Sequence, residues 1–235
     1  MLVEAGNFAP ASRSFMDSTK ARMMTDFYRQ MKYDAVGLSM RELQFGVDVW
    51  KEAAKDGVPI IAANLFNDKK CKKAVFNQYT IKEDHGDRLG VIAFVSENAW
   101  KARKDTSKLF HKSPFEMGKL IKKVAKKCDH LTLIGEFTTV DAESLVRAFP
   151  EINAIVSSGI RADQVNRIKD SNAILIGSST RGNYATFVDW NYSAADTAVH
   201  YVNKQQVLDP TVPEDTTVVR MLAKMNQTIK TGPGR

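Results

Sequence analysis

Short apolar runs alternate along the chain with longer amphipathic stretches, and that alternation defines the elements. The opening "MLVEA" reads as a strand, and "MDSTKARMMTDFYRQM" as a helix with Met, Phe and Tyr along one face. "DAVGLS" reads as a buried strand, "VDVWKEAAKDG" as a helix ended by Gly57, and "VPIIAANLF" as a third strand. "KAVFNQYTIKEDHGDRLGVIAFV" reads as two antiparallel strands around a turn at His85, Gly86 and Asp87. A helix follows at "SPFEMGKLIKKVAKK", with Ser113 as N-cap and Pro114 at its first position, then the strand "HLTLIG". Beyond it lie a helix near "DAESLVRAF", the strand "INAIVSS", a short helix at "RADQVNRIKD" and the strand "AILIGSS". The tail turns to β character in "YATFVDWNYSAADTAVHYVNKQQVL" and closes with the helix "VVRMLAKMNQTI".

Strands alternating with helices argue an α/β fold, and the late amphipathic strands predict a second sheet packed on the first. In such folds the working loops follow the carboxyl ends of the strands. Residues just after "MLVEA", "DAVGL", "LTLIG", "NAIVS" and "ILIGS" therefore carry any chemistry. The expected organisation is one domain over residues 1–210, with a C-terminal helix and linker start over 211–235.

Composition changes this picture little. A chain of 235 residues, 43% hydrophobic and 26% charged, can bury one sizeable core. No apolar run approaches the roughly 20 residues of a membrane span, and no signal peptide is visible at "MLVEAGNFAP". The net charge of +7 raises nucleic-acid binding as a class, tested by salt-sensitive affinity. Yet the lysines of "NDKKCKKAV" and "GKLIKKVAKKC" are dispersed, without aromatics placed to stack bases, so a solvated basic surface is the better reading. Cys71 and Cys128 form no metal or redox spacing, and His85, His111, His130 and His200 are scattered. "GSSTRGNYA" lacks a phosphate-loop pattern, and no Ser has matched His and Asp spacing. The methionines of the first helix, with Trp50 and Trp190, read as packing residues, and Trp100 as a candidate interface marker.

Read in order, the strand ends resemble the N-terminal domain of the 5′-nucleotidase and 2′,3′-cyclic phosphodiesterase branch of the calcineurin-like metallophosphoesterases. The resemblance rests on "LVEAGN", "YDAVGLSMRELQFG", "PIIAAN", "GDRLGVIAF", "LTLIGEF" and "INAIVSSGIR", and covers nearly the whole chain. It implies a metallophosphoesterase-like α/β sandwich of two packed mixed sheets flanked by helices. It also implies a two-metal centre, where cations polarise phosphoryl oxygens and a His assists the leaving group.

At that centre this chain departs from the family. Its opening Asp-x-His strand has no counterpart, and the bridging Asp falls on Asn7, a poorer bridge between dications. Gly-Asn-His-Glu falls on Ser39, Met40, Arg41 and Glu42: a thioether replaces a hard ligand, and a guanidinium replaces the catalytic imidazole. Glu136 stands at a His position, and the Gly-His-x-His block falls on Ser158, Gly159, Ile160 and Arg161. Asn7, Met40, Arg41, Glu42, Glu136, Gly159 and Arg161 are therefore the positions of a degenerate site. Two arrangements follow: Arg41 and Arg161 pairing with Glu42 and Glu136 in place of metals, or the two arginines forming an anion pocket for phosphate or nucleotide.

The expected function is a catalytically degenerate domain that binds, or forms part of a larger assembly, with no cofactor. The alternative is a phosphoester hydrolase with one Mg, Mn or Zn ion on Asn7, Glu42 and Glu136. The resemblance further implies an unknown protein partner or absent second domain, and an extracytoplasmic location.

Overall fold

The computed structural model describes residues 1–10, 12–103, 108–161, 165–178, 184–192 and 199–232, with side chains 161, 178, 184, 190–192, 199, 200 and 203 outside that description. From the N-terminus come β1 (Val3–Glu4), α1 (Phe15–Gln30), β2 (Ala35–Val36), α2 (Met40–Phe45), α3 (Val47–Lys55) and β3 (Leu65–Phe66). The centre holds β4 (Tyr79–Asp84), β5 (Asp87–Phe94), α4 (Glu97–Ala102), β6 (Phe110–His111), α5 (Gly118–Ala125), β7 (His130–Gly135) and α6 (Thr139–Ala148). β8 (Ala154–Arg161), β9 (Val165–Arg167), β10 (Ile174–Ser178), β11 (Tyr184–Tyr192), β12 (Val199–Val207) and α7 (Thr216–Thr231) complete the chain.

Six strands form the main sheet in the order β4-β5-β7-β8-β10-β9. The inner pairs are parallel, while β4 and β9 run antiparallel at the two edges. The β4–β5 hairpin closes through His85 and Gly86, whose φ angles of 51° and 92° give the left-handed pair that matches strand twist. Alternation sorts the strands' side chains: Ile92, Phe94, Leu131, Leu133 and Ile155 join one cluster, and Val91, Ala93 and Ile134 another on the opposite face. The first face is covered by α5 and α6, whose Ile121, Val124, Ala142 and Leu145 are fully buried at helical spacing.

A second cluster gathers α1, α2 and α3 around Trp50, which is buried completely. Phe8 meets Tyr28 and Trp50 edge-on at 4.9 and 5.3 Å, the geometry ring quadrupoles favour. Truncating Trp50 would open a cavity costing about 3–5 kcal/mol.

The short helix expected at residues 161–170 is instead the strand β9, paired antiparallel with β10 from Val165↔Ile176 to Arg167↔Ile174. Val165 and Ile168 are buried with Asn166 and Arg167 exposed between them, a spacing a helix would also show, so the ladder with β10 and not the burial pattern makes this segment a strand. Residues 162–164 of that stretch lie outside the described residues. The expected "VPIIAANLF" strand is broken into bridges at Ile60 and Ile61 and the two-residue β3. α2 and α4 are not apparent from periodicity, each being only six residues long. Both cysteines are free thiols. No helix among the described residues is long and apolar enough to cross a membrane.

Candidate functional site

The turn after β1 is held by Gly6 and Asn7, with φ of 105° and 67°. Glycine and asparagine tolerate this left-handed region best. A Cβ on Gly6 would lie 2.8 Å from that of Ser39, so the turn rests directly on the start of α2.

Glu42 ties these two segments together. It is wholly buried, and its Oε2 accepts the Asn7 amide at 2.9 Å, the Ser39 amide at 2.9 Å and the Ser39 hydroxyl at 2.8 Å. Its Oε1 accepts the Ala9 amide at 2.7 Å. The carboxylate is thus solvated by three backbone N–H groups and one hydroxyl, which is how a charge survives without water. The Trp50 indole donates to the Glu42 carbonyl at 2.7 Å, anchoring the helix from below.

Glu136, half-buried beyond β7, accepts the Met40 amide at 3.1 Å. Asn7 Nδ2 approaches the Ser158 hydroxyl at 3.4 Å, and that hydroxyl donates to the Ala5 carbonyl at 3.4 Å, both long contacts. Buried Ser157 donates to the Phe137 carbonyl at 2.7 Å and accepts the Phe137 and Gly159 amides, locking β8 to the end of β7. A Cβ on Gly159 would lie 2.9 Å from the Phe137 carbonyl and 3.2 Å from Glu136 Cγ, so only a bare backbone fits there.

The fold therefore brings Asn7, Met40, Glu42, Glu136, Ser158 and Gly159 to neighbouring strand ends. The expected arginine–carboxylate cluster does not form around Glu42. Arg41 is exposed and makes no hydrogen bond or ion pair with either glutamate, because helix geometry turns it outward while Glu42 turns in. Glu42 has no need of it, its oxygens being occupied by backbone donors. Arg161 ends β8, but its side chain lies outside the described residues. Met40 is half-buried against the Trp50 cluster and acts as packing.

One acidic residue is missing from the sequence-based site. Glu4, on β1, accepts the Gly6 amide at 3.0 Å. Burial, reinforced by the charge of Glu42, pushes its carboxyl up to about 7. The Tyr28 hydroxyl beside it is buried without a hydrogen-bond partner of good geometry among the described residues, and desolvation raises that phenol far above its ordinary range. An acid in the middle of an apolar strand was the available signal.

The imidazoles lie elsewhere. His85 is exposed on a turn, and His111 stacks on Trp100 with ring centroids 5.1 Å apart. His130 is buried near Asp87, and burial lowers the pKa of both His111 and His130. The His200 side chain is outside the described residues. Among the described residues no group of three or more His, Cys, Asp or Glu is placed to hold a metal ion. Asn7, Glu42 and Glu136 fit a divalent cation poorly, since four donors already fill the Glu42 carboxylate and three of them are backbone N–H groups whose positive ends a cation would meet.

An α/β sandwich with its polar cluster at the strand ends is the architecture of the 5′-nucleotidase type of metallophosphoesterase domain, and comparison with solved structures bears out the fold. The 5′-nucleotidase precursor from Thermus thermophilus superposes on 97% of this chain and 49% of its own, with a TM-score of 0.80 at 15% identity. The sulfate thiohydrolase SoxB of Thermus thermophilus matches 98% of this chain and 43% of its own, at TM-score 0.82 and 13% identity. A putative 5′-nucleotidase from Staphylococcus aureus matches 96% and 49%, at TM-score 0.74 and 16% identity. The chain thus spans about half the length of these proteins or less. No protein-family model and no curated protein sequence matches it.

Proposed function

We propose that this chain is a catalytically degenerate, 5′-nucleotidase-like phosphoesterase domain that works by binding, or as a structural part of a larger assembly. The carrying observation is Glu42, whose carboxylate is spent on backbone amides. Arg41 and Met40 supply neither a general acid nor a hard ligand beside it. Asn7, Glu136, Gly159 and the arginines at 41 and 161 then mark the relic of a centre, open to phosphate or nucleotide as ligand. We place residues 1–210 in this domain and 211–235 as its exit helix, working beside a second domain or partner outside the cytoplasm.

The test combines elemental mass spectrometry after incubation with Mn, Zn and Mg, hydrolysis of a chromogenic phosphodiester on the same sample, and calorimetric titration with phosphate and AMP. The expected result is substoichiometric metal and no turnover. Stoichiometric metal with turnover abolished by Glu136→Ala would establish the hydrolase reading instead. Heat on phosphate or AMP addition that Arg41→Ala removes would identify the ligand class, and none at millimolar ligand would leave only the structural role.

A further inference from the structure

The positive charge of the chain is concentrated. Residues 67–74 and 112–127 hold ten lysines and two carboxylates, a formal +8, while the rest of the chain, whose total is +7, sums to −1. Though far apart in sequence, both stretches lie on the side of the main sheet that α5 and α6 cover. Cys71 and Ala74 of the first, and Leu120 and Ala125 of the second, pack at the rim of the same apolar cluster. Two contacts tie them further. The Lys112 ammonium lies 6.0 Å over the ring of Phe66, whose backbone bridges to Ala74, and the Lys127 ammonium donates to the Tyr79 hydroxyl at 3.3 Å.

This charge is left largely unanswered within the protein. Among the described residues none of the ten lysines forms an ion pair, whereas Lys20, Lys51, Lys55, Lys82 and Lys101 elsewhere all do. The two carboxylates serve the backbone instead. Asp68 accepts the Lys72 and Lys73 amides at 3.0 and 2.6 Å, and Glu116 accepts the Ser113 amide at 2.8 Å. Helix geometry sets the lysines outward: Ile121 and Val124 of α5 are buried, so Lys119, Lys122, Lys123 and Lys126 turn to solvent. Pro114 and Met117, in the tight turn before α5, are buried too, which leaves Phe115 turned out and 45% exposed. Phe115, Lys119, Lys122 and Lys126 recur at intervals of four, three and four, and so form one stripe.

We infer that this lysine face is a docking surface for an anionic lipid bilayer, on which α5 lies flat with Phe115 entering the headgroup layer. Every cation in the two stretches is a lysine. Arginine is the side chain that grips phosphates and bases bidentately, while lysine is a point charge suited to the smeared potential of a membrane. Phe115 is the one aromatic residue in either stretch. A lone ring makes no platform for successive bases, so a nucleic acid gains nothing from it, whereas a bilayer interface accommodates it.

The probe is a pair of vesicle preparations, phosphatidylcholine alone and phosphatidylcholine mixed with phosphatidylglycerol, incubated with the full chain and separated by flotation. Binding is expected to the mixed vesicles only, and to weaken as salt rises. Each lysine lost from the face is expected to lower affinity about fivefold, so Lys119→Gln, Lys122→Gln and Lys126→Gln together cost about a hundredfold. All three side chains are exposed, so the variant is expected to stay folded. The same charge removed from Lys20, Lys51 and Lys55, outside the face, is expected to change affinity less than about twofold. Phe115→Ser is expected to weaken vesicle binding several-fold. Equal binding to neutral vesicles, no binding to either, or an equal loss on changing Lys20, Lys51 and Lys55 would overturn the inference. So would a DNA duplex or polyglutamate held more tightly than the anionic vesicles at the same salt and indifferent to Phe115→Ser, which would make a nucleic acid or an acidic protein the occupant.

Discussion

At the scale of single residues, Glu42 and Glu4 are opposite solutions to burying a carboxylate. Glu42 sits within a cage of donors. Glu42→Ala leaves the Asn7, Ala9 and Ser39 amides without their acceptor and is expected to cost about 3–5 kcal/mol, read as a lower urea midpoint with the slope unchanged. Arg41→Ala is expected to leave the midpoint within roughly 0.5 kcal/mol, since the side chain is exposed. Burial desolvates Glu4, and the charge of Glu42 adds to the effect, so its carboxyl rises from its ordinary 4.5 to about 7 although it accepts the Gly6 amide. A raised acid binds its proton more tightly in the folded state. This group's contribution to stability is therefore greatest below pH 4.5, falls as pH rises towards 7, and levels off above it. The interval corresponds to roughly 3 kcal/mol. Glu4→Gln is expected to flatten that fall, measured as thermal midpoint against pH; an unchanged profile would place the titration on another group.

At the scale of elements, the hairpins and helices with one buried face are plain in the sequence, while very short elements are not. The β4–β5 turn follows directly from "HGD", because two left-handed residues suit His-Gly far better than two branched ones. Gly86 has open space around its missing side chain, so Gly86→Ala tests backbone conformation alone. It is expected to cost about 1 kcal/mol by denaturant titration. β9 reads as a helix from sequence because Val165 and Ile168 of "RADQVNRIKD" stand three apart, a helical spacing. Its antiparallel pairing with β10 decides the matter, a tertiary choice that overrides local preference.

At the scale of the whole molecule, the two cysteines report on packing. Cys128 is buried, its Sγ lying where a Cβ on Gly90 would approach to 2.6 Å, and burial pushes its thiol up from its ordinary value. Cys71 is half-buried and solvent can reach it. Thiol titration of the native protein is therefore expected to label Cys71 readily and Cys128 only on unfolding. Equal reactivity would mean that the α5 face of the sheet opens in the native state. α7 contributes differently: it lays Met221 and Met225 beside Met23 of α1 along a groove of about 530 Å³, with no residue of its own fully buried. An element with so little buried surface opens at low free energy, and its amides are expected to exchange before those of β7.

The sequence by itself determined the α/β class, most long elements, the core around Trp50 and the absence of a familiar metal-ligand pattern. Periodicity carries that information because each amphipathic face records which side is buried. Only the tertiary structure decided what the site residues do. Glu42 takes two of its donors from Ser39, three positions back in a capping box, but the other two from Asn7 and Ala9, 35 and 33 positions away, and Glu136 meets an amide 96 positions away. A carboxylate's role is set by which donors surround it, and the distant ones arrive through chain crossings that no local pattern encodes.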